Sequence, residues 1–216
     1  MYRYSVSVDL LSVAPPADTI WTRPAPREQR STLTREAIVA TAVALADADG
    51  LDAVTIRAVA GALKARPMSL YAHVGKKDDL LDLMLDAAVA DALLDEVPSD
   101  WRAALVALAE GSRAAALRHP WIAAAVARRP NVGPNGMRHI EQSLAAIAAL
   151  DLEPARARAI LRAVDTYTFG NVAVQLADLP EVEDSVWRDA PNDDEDVLFR
   201  TGLDWLLDGF AASLGR

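Results

Sequence analysis

The chain contains no cysteine, and this absence excludes several kinds of chemistry at once. Without thiols the protein has no disulfides, no thiolate zinc sites and no cysteine nucleophiles. A cysteine-free chain agrees with a reducing compartment, so we expect a cytoplasmic protein. No run of 18 uncharged apolar residues is present either, and we therefore expect neither a membrane span nor a membrane partner.

Aromatic residues are scarce, at 6% of a chain whose hydrophobic content is 52%. Alanine supplies much of the remaining apolar content, and small side chains of high helix propensity favour close helix packing over sheets. Apolar residues also recur at helical spacing between proline and glycine breaks along most of the chain. The 216 residues suit one large domain or two small ones, and the composition predicts an all-α fold.

Lysine is scarcer still: all three lysines, Lys64, Lys76 and Lys77, lie in or beside residues 55–77. The net charge is -9, yet the first 80 residues hold ten basic and nine acidic side chains, against twelve and twenty-two in the rest. These cations could simply keep a small helical hairpin soluble. Their concentration within an acidic protein instead favours a surface that contacts phosphates.

The pattern of residues 55–77 predicts two short helices joined by a tight turn. Thr55 can cap the first helix, and Pro67 suits the first turn of the second. Gly75 can end the second helix in a left-handed cap, and the turn between the helices falls near Lys64. Two short helices with this spacing match a helix-turn-helix, whose second helix enters the major groove of DNA.

Residues 63–81, LKARPMSLYAHVGKKDDLL, resemble the DNA-binding domain of the TetR family, the tetracycline-repressor-like bacterial regulators. The hexapeptide SLYAHV at 69–74 and the KDDL that follows at 77–80 carry most of the resemblance. The sequence departs from the family pattern at two positions. Lys64 stands where a turn glycine is common, and Lys76 where a small polar cap is usual.

Two later segments resemble the family's tetracycline-repressor-like C-terminal domain: YTFG at 167–170 and FRTGLDWLLDGF at 199–210. The resemblance implies an N-terminal three-helix helix-turn-helix domain followed by a larger helical domain for ligand binding and dimerisation. We place these domains at 31–80 and 81–216. Residues 1–30 are expected to be a flexible extension, although an arm that contacts the DNA backbone or minor groove is the alternative, through Arg23, Arg27 and Arg30.

Two arginines of the helix-turn-helix, Arg57 and Arg66, are the expected base readers, because arginine can bridge O6 and N7 of guanine. Pro67 and Met68 are expected to contact thymine methyl groups. Phosphate contacts are expected from Thr55, Ser69, Tyr71, His73 and Lys77. Tyr71 could instead be a core aromatic residue, and His73 a buried histidine at a helix end.

The C-terminal domain shows no catalytic motif. His119 and His139 are its only histidines, and no serine beside them forms a recognisable nucleophile motif, so we expect no enzyme activity, cofactor or metal site. A pocket between amphipathic helices is the expected site for an unknown small molecule. The candidates to line it are Trp101, Trp121, Met137, His139, Tyr167, Phe169 and Gln175.

The last helix carries a broad apolar face formed by Leu198, Phe199, Leu203, Leu206 and Phe210. The resemblance implies that this helix and the preceding long one pack against their copies as a four-helix bundle in a homodimer, although the face could also pack inward. We expect a repressor that a small molecule releases from a palindromic operator on double-stranded DNA. The alternative is a DNA-binding regulator without an effector, controlled by a protein partner or by its own concentration.

Overall fold

A computed structural model of the chain describes residues 19–22, 33–128, 133–177 and 194–215. These residues form α-helices and short 3₁₀ turns, without a strand in the described ranges, which confirms the predicted all-α fold. None of the described helices combines the length and apolar character needed to cross a bilayer. The helices are α1 (Arg35–Asp49), α2 (Ile56–Ala62), α3 (Pro67–Val74), α4 (Lys77–Val89), α5 (Trp101–Arg118), α6 (Ile122–Arg128), α7 (Pro134–Ile147), α8 (Pro154–Gln175) and α9 (Glu195–Ser213).

Helices α1, α2 and α3 form a head whose boundaries follow from local capping. The hydroxyl of Thr34 accepts the N–H of Ala37 at the start of α1, at 3.1 Å. The hydroxyl of Thr55 accepts the N–H of Ala58 in the same way at the start of α2, at 3.0 Å. Each cap satisfies a backbone donor that a first turn leaves free. Helix α3 ends at Gly75, as the sequence predicts, but with φ of 71° and ψ of -86° the glycine has a positive φ without the predicted left-handed helical conformation.

The core of the head continues into the rest of the molecule without a break. Leu70 of α3 is fully buried against residues of α1, α2 and α4, including Met84. The same cluster extends to Trp121 and Ile122, at the start of α6. Helix α4 ends at Val89, and a 3₁₀ turn, Ala90–Ala92, follows.

Helices α5, α7, α8 and α9 enclose a second core, which holds the inner side of α9. Two residues of the predicted dimer face, Phe199 and Leu203, are buried in this core, so their assignment to a subunit interface is wrong, whereas Phe210 also lines a groove on the outer surface. Phe199 and Leu203 point inward because α9 packs on α5 and α8. The hydroxyl of Tyr167 in α8 donates to the carbonyl of Phe199 at 2.8 Å, and a Cβ at Gly202 would stand 2.2 Å from that hydroxyl oxygen.

One buried arginine fastens α9 to its neighbours. Arg113 of α5 donates to Asn171 and Gln175 of α8 at 3.2 and 2.9 Å, and to Asp196 of α9 at 2.6 Å. Its guanidinium also lies 4.9 Å from the ring centre of Phe199. The described partners therefore engage Nε and both terminal nitrogens of this buried cation, as a buried charge requires.

The predicted flexible extension lies outside the described residues except for 19–22. These four residues form a turn, and the side chain of Ile20 is only 3% exposed within the core that the head shares with α4 and α6. This segment of the expected flexible extension therefore packs on the rest of the protein. Arg23, Arg27 and Arg30 lie outside the described residues.

Candidate DNA-binding surface and ligand cavity

Helix α3 presents one face to the core of the head and the opposite face to solvent. Leu70 and Val74 are fully buried, whereas Met68 is 77% exposed and Tyr71 is 43% exposed. Exposure of Tyr71 argues against the alternative that it is a core aromatic residue. The other predicted DNA contacts are also exposed, apart from the half-buried His73, and comprise Thr55, Arg57, Arg66, Pro67, Ser69 and Lys77.

The turn before α3 has the hydrogen bonds of a Schellman motif. The N–H of Ala65 donates to the carbonyl of Ala60 at 2.8 Å, and the N–H of Lys64 donates to that of Gly61 at 3.0 Å. Lys64 takes the left-handed conformation that this motif requires, with φ of 52°. Lysine occupies this region at a steric cost that glycine does not incur, yet both hydrogen bonds of the turn are formed with Lys64 in place.

Helix α3 is also fixed at its far end. Nε of Arg35 in α1 donates to the backbone carbonyl of His73 at 3.0 Å, and this carbonyl belongs to the last turn of α3. A cation at the C-terminus of a helix is favourable because the free carbonyls carry partial negative charge. The exposed face of α3 is therefore held by a tight turn at one end and an arginine at the other, as a recognition helix needs to be.

A cavity of about 180 Å³ lies where α4, α5, α6, α7 and α8 meet. Its wall is mainly apolar, as is usual for sites that take small organic molecules. Three polar side chains converge on it: Ser112, His139 and Asp165. The other lining residues are Val89, Ala92, Ala115, Ile122, Val126, Gly136, Ile140 and Phe169.

Ser112 and His139 form a hydrogen-bonded pair in the cavity wall. The Ser112 hydroxyl oxygen lies 3.1 Å from Nε2 of His139, and the tautomer of the ring decides which group donates. Burial lowers the pKa of His139, so the ring is neutral at pH 7. No described residue accepts from Nδ1, so the pair lacks the third group that orients the base in a nucleophilic triad. The pair can offer a donor and an acceptor to a ligand.

Asp165 stands where the cavity opens to the surface. The cavity shares Val126, Asp165 and Phe169 with a wider groove of about 910 Å³ between α6 and α8. The groove reaches outward past Arg162 and Gly170. Desolvation raises the pKa of Asp165 to about 6, although the residue is exposed at the mouth of the groove, so apolar walls remove only part of its hydration. The cavity and groove together offer room for an elongated molecule.

Two of the seven predicted ligand contacts, His139 and Phe169, line this cavity. The other five line neither the cavity nor the groove. Three of them make contacts elsewhere: Trp101 packs edge-on against Phe210, Tyr167 donates to α9, and Gln175 accepts from Arg113. Trp121 is buried in the core shared with the head, and Met137 is half-buried on α7. Their assignment to the ligand site is therefore corrected.

Ser112 and Asp165 were not predicted from the sequence, although one of them had a signal. Asp165 is the single acidic residue of α8, and it lies in a helix whose inner side is apolar. A lone carboxylate in such a helix needs either solvent or a partner. Ser112 gave no comparable signal, because its neighbour His139 lies 27 positions away in the chain.

Several known proteins are similar to this chain. The family of tetracyclin repressor-like C-terminal domains matches residues 95–185. An HTH-type transcriptional regulator of Saccharopolyspora erythraea is 37% identical over 171 residues, covering 78% of this chain and 69% of the relative. The HTH-type transcriptional repressor DrrR1 of Streptomyces coeruleorubidus is 39% identical over 156 residues, which cover 69% of this chain and 56% of that protein. The crystal structure of the Streptomyces coelicolor TetR family protein ActR in complex with actinorhodin matches with a TM-score of 0.69 at 28% identity, covering 86% of this chain and all of ActR.

Proposed function

The chain belongs to the TetR family of transcriptional regulators, and we propose that it is a homodimeric repressor which a small molecule releases from a palindromic operator. Regulation of transcription, DNA binding and ligand binding are properties of the family, whose members are regulators rather than enzymes. The proposed release of DNA by a ligand rests on one observation: the cavity and the head share a hydrophobic core. Ile122 lines the cavity and belongs to the same hydrophobic cluster as Leu70, the buried anchor of α3.

Two polar contacts reinforce this connection between cavity and head. Oδ1 of Asp86 in α4 accepts the N–H of Gly136, a residue of the cavity wall, at 2.9 Å. Burial raises the pKa of Asp86, while this bond and those from Asn135 lower it. The second contact involves Asp47 in the last turn of α1. Its carboxylate accepts hydrogen bonds from the side chains of His119 and Trp121, which lie just before α6. A ligand that displaces α6 or α7 would therefore act on α1 and α4 directly.

The mechanism follows from differential binding. A ligand shifts the protein toward the conformation that it binds better, and its effect on DNA affinity equals its preference between the two conformations. We propose that the cavity fits its ligand best when the two heads of the dimer are spaced wrongly for the operator. The similarity to the repressor DrrR1 supports repression, and the complex of ActR with actinorhodin supports a small-molecule ligand.

The proposed subunit interface lies on the outer surface of α8 and α9. The side chain of Trp205 is 72% exposed, and Leu198 is 44% exposed, although both are large apolar residues. Trp205 and the half-buried Leu206 line a groove that small residues of α8, Ala159 and Ala163, keep shallow. Exposed apolar patches of this kind typically mark interaction surfaces, and a second copy is the simplest partner. Of the five predicted interface residues, Leu198, Leu206 and Phe210 thus remain candidates.

The charge distribution supports a DNA complex in which only the head touches the duplex. The excess of acidic residues lies after position 80, and phosphate would repel it. The three lysines and the exposed Arg57 and Arg66 lie at or near α2 and α3. One recognition helix per subunit requires two half-sites, about one helical turn or slightly more apart.

The experiment that tests this function has two stages. Operator DNA, obtained by selection from a random library, is labelled and its binding followed by fluorescence anisotropy. A library of apolar small molecules is then screened for compounds that both raise the melting temperature of the protein and release the DNA. We expect compounds that do both. If stabilising compounds leave the DNA bound, or if no compound in a broad library stabilises the protein, the alternative regulator without a small-molecule effector is favoured.

A further inference from the structure

Asp165 is the one charged side chain that lines both the cavity and the groove. Among the described residues, no hydrogen bond or ion pair reaches its carboxylate; the one influence on its pKa is desolvation. Arg162, one turn earlier on α8, also lines the groove but forms no ion pair with Asp165. The other polar groups of the inner wall, Ser112 and the neutral His139, are paired with each other.

The apolar walls of cavity and groove remove part of the hydration of the exposed Asp165 carboxylate, and no described residue replaces it with a hydrogen bond or an ion pair. In a ligand site the same arrangement favours binding of a cation, because a positively charged group on the ligand can pair with the carboxylate and compensate for the lost hydration. An anion would be repelled by Asp165, and a neutral ligand would leave the carboxylate uncompensated.

The size and lining of the cavity define the rest of the ligand. A cavity of about 150 Å³ holds one benzene ring, and this cavity is about 180 Å³ and continues into the groove. Phe169 and Ile122 offer apolar surfaces to a flat ring. Ser112 and His139 can exchange a hydrogen bond with a hydroxyl or carbonyl group on the buried end.

We propose that the effector is an aromatic amine, whose ring system fills the cavity and whose protonated nitrogen pairs with Asp165 at the opening. This proposal rests on the proposed function and specifies the ligand class of the same site. It makes Asp165 a specificity-determining residue, one that selects cations over neutral and anionic molecules of the same shape.

The test uses three probes that share a naphthalene ring: 1-naphthylmethylamine, 1-naphthylmethanol and 1-naphthoic acid. Isothermal titration calorimetry at pH 7.5 compares their dissociation constants for the full-length protein. We expect the amine to bind about tenfold more tightly than the alcohol, since a charge-assisted hydrogen bond is stronger than a neutral one. The acid should bind most weakly. Asp165→Asn should bring the amine and alcohol to similar affinities, and Asp165→Glu should keep the preference for the amine.

Glu141→Gln is the matched control, because it removes one negative charge from an exposed residue of α7 that lines neither cavity nor groove. It should leave the preference unchanged. The proposal is overturned if the alcohol or acid binds as tightly as the amine, if no amine binding occurs up to millimolar concentration, or if Asp165→Asn keeps the full preference. Release of operator DNA is measured separately, so a neutral or anionic effector that releases DNA would contradict the ligand class and leave the proposed function intact.

Discussion

Oδ1 of Asp47 lies 2.8 Å from Nδ1 of His119 and also accepts the indole N–H of Trp121 at 2.7 Å. Asp47 belongs to the last turn of α1 in the head, and its two partners immediately precede α6. Both partners are buried, and Nε2 of His119 faces a second carboxylate, that of Asp91 at 3.4 Å. One carboxylate oxygen thus joins the head to the segment that leads into α6, a helix that contributes Ile122 and Val126 to the cavity wall.

We expect Asp47→Ala to lower the free energy of unfolding by about 1–3 kcal/mol, because two buried donors lose their acceptor. Urea denaturation followed by circular dichroism measures the change. Asp49→Ala is the control, since Asp49 is an exposed acid of the same helix without a partner among the described residues. Equal effects of the two substitutions would show that the contact of Asp47 with His119 and Trp121 adds no stability.

The revised interface predicts different outcomes for two neighbouring residues of α9. Trp205→Glu should give folded monomers, because Trp205 is exposed on the outer surface of the chain. Leu203→Glu should unfold the protein, because it places a charge in the core formed with α5 and α8, at a cost of several kcal/mol. Light scattering coupled to gel filtration gives the mass, and circular dichroism the helix content. A Trp205→Glu variant that stays dimeric would place the interface elsewhere.

The left-handed backbone at Lys64 predicts a stabilising substitution. Lys64→Gly should be more stable than Lys64→Ala by about 1 kcal/mol, because alanine keeps the steric cost of the positive φ whereas glycine removes it. Both variants lose the same charge, so the comparison isolates the backbone. Denaturant unfolding measures the difference, which would be zero or reversed if the Schellman turn does not form in solution.

The raised pKa of Asp165 predicts how stability depends on pH. Its folded-state pKa of about 6 exceeds the ordinary value of 3.8, so the folded protein disfavours the carboxylate. The resulting destabilisation is complete above pH 6 and disappears as the pH falls toward 3.8. Asp165→Asn should therefore raise the melting temperature at pH 8 and raise it less at pH 5. Glu141→Gln should show no such trend, and a constant increase for Asp165→Asn at both pH values would contradict the shifted pKa.

Local signals explain why the head was predictable. Thr55, Pro67 and Gly75 each fix a helix boundary through backbone chemistry that acts over a few residues, and the structure has all three boundaries where the sequence placed them. The family resemblance through residues 69–74 rests on a similarly contiguous segment, and the comparisons confirm the family.

The cavity and the inner face of α9 depend instead on which helices meet. A broad apolar face such as that of α9 can bury itself against the same chain or against another chain, and periodicity does not distinguish the two. Arg113 and Tyr167 decide the question, because their partners in α8 and α9 hold the face with Leu203 inward. Similarly, the aromatic residues chosen as ligand contacts were large enough to fill a pocket, but Trp101 and Trp121 fill cores instead.

The central claim is that this chain recognises a palindromic DNA sequence through the exposed face of α3, and selection of binding sites from a random duplex library tests it most directly. We expect one enriched inverted repeat with half-sites about one helical turn or slightly more apart. Arg66→Ala should relax the preference at one position of each half-site and cost about 1–3 kcal/mol, whereas Lys77→Ala should weaken all sequences alike. Two results would contradict the account. In the first, no sequence is enriched at physiological salt. In the second, Arg66→Ala selects the same repeat as the unmodified protein, whereas Lys77→Ala changes the sequence preference.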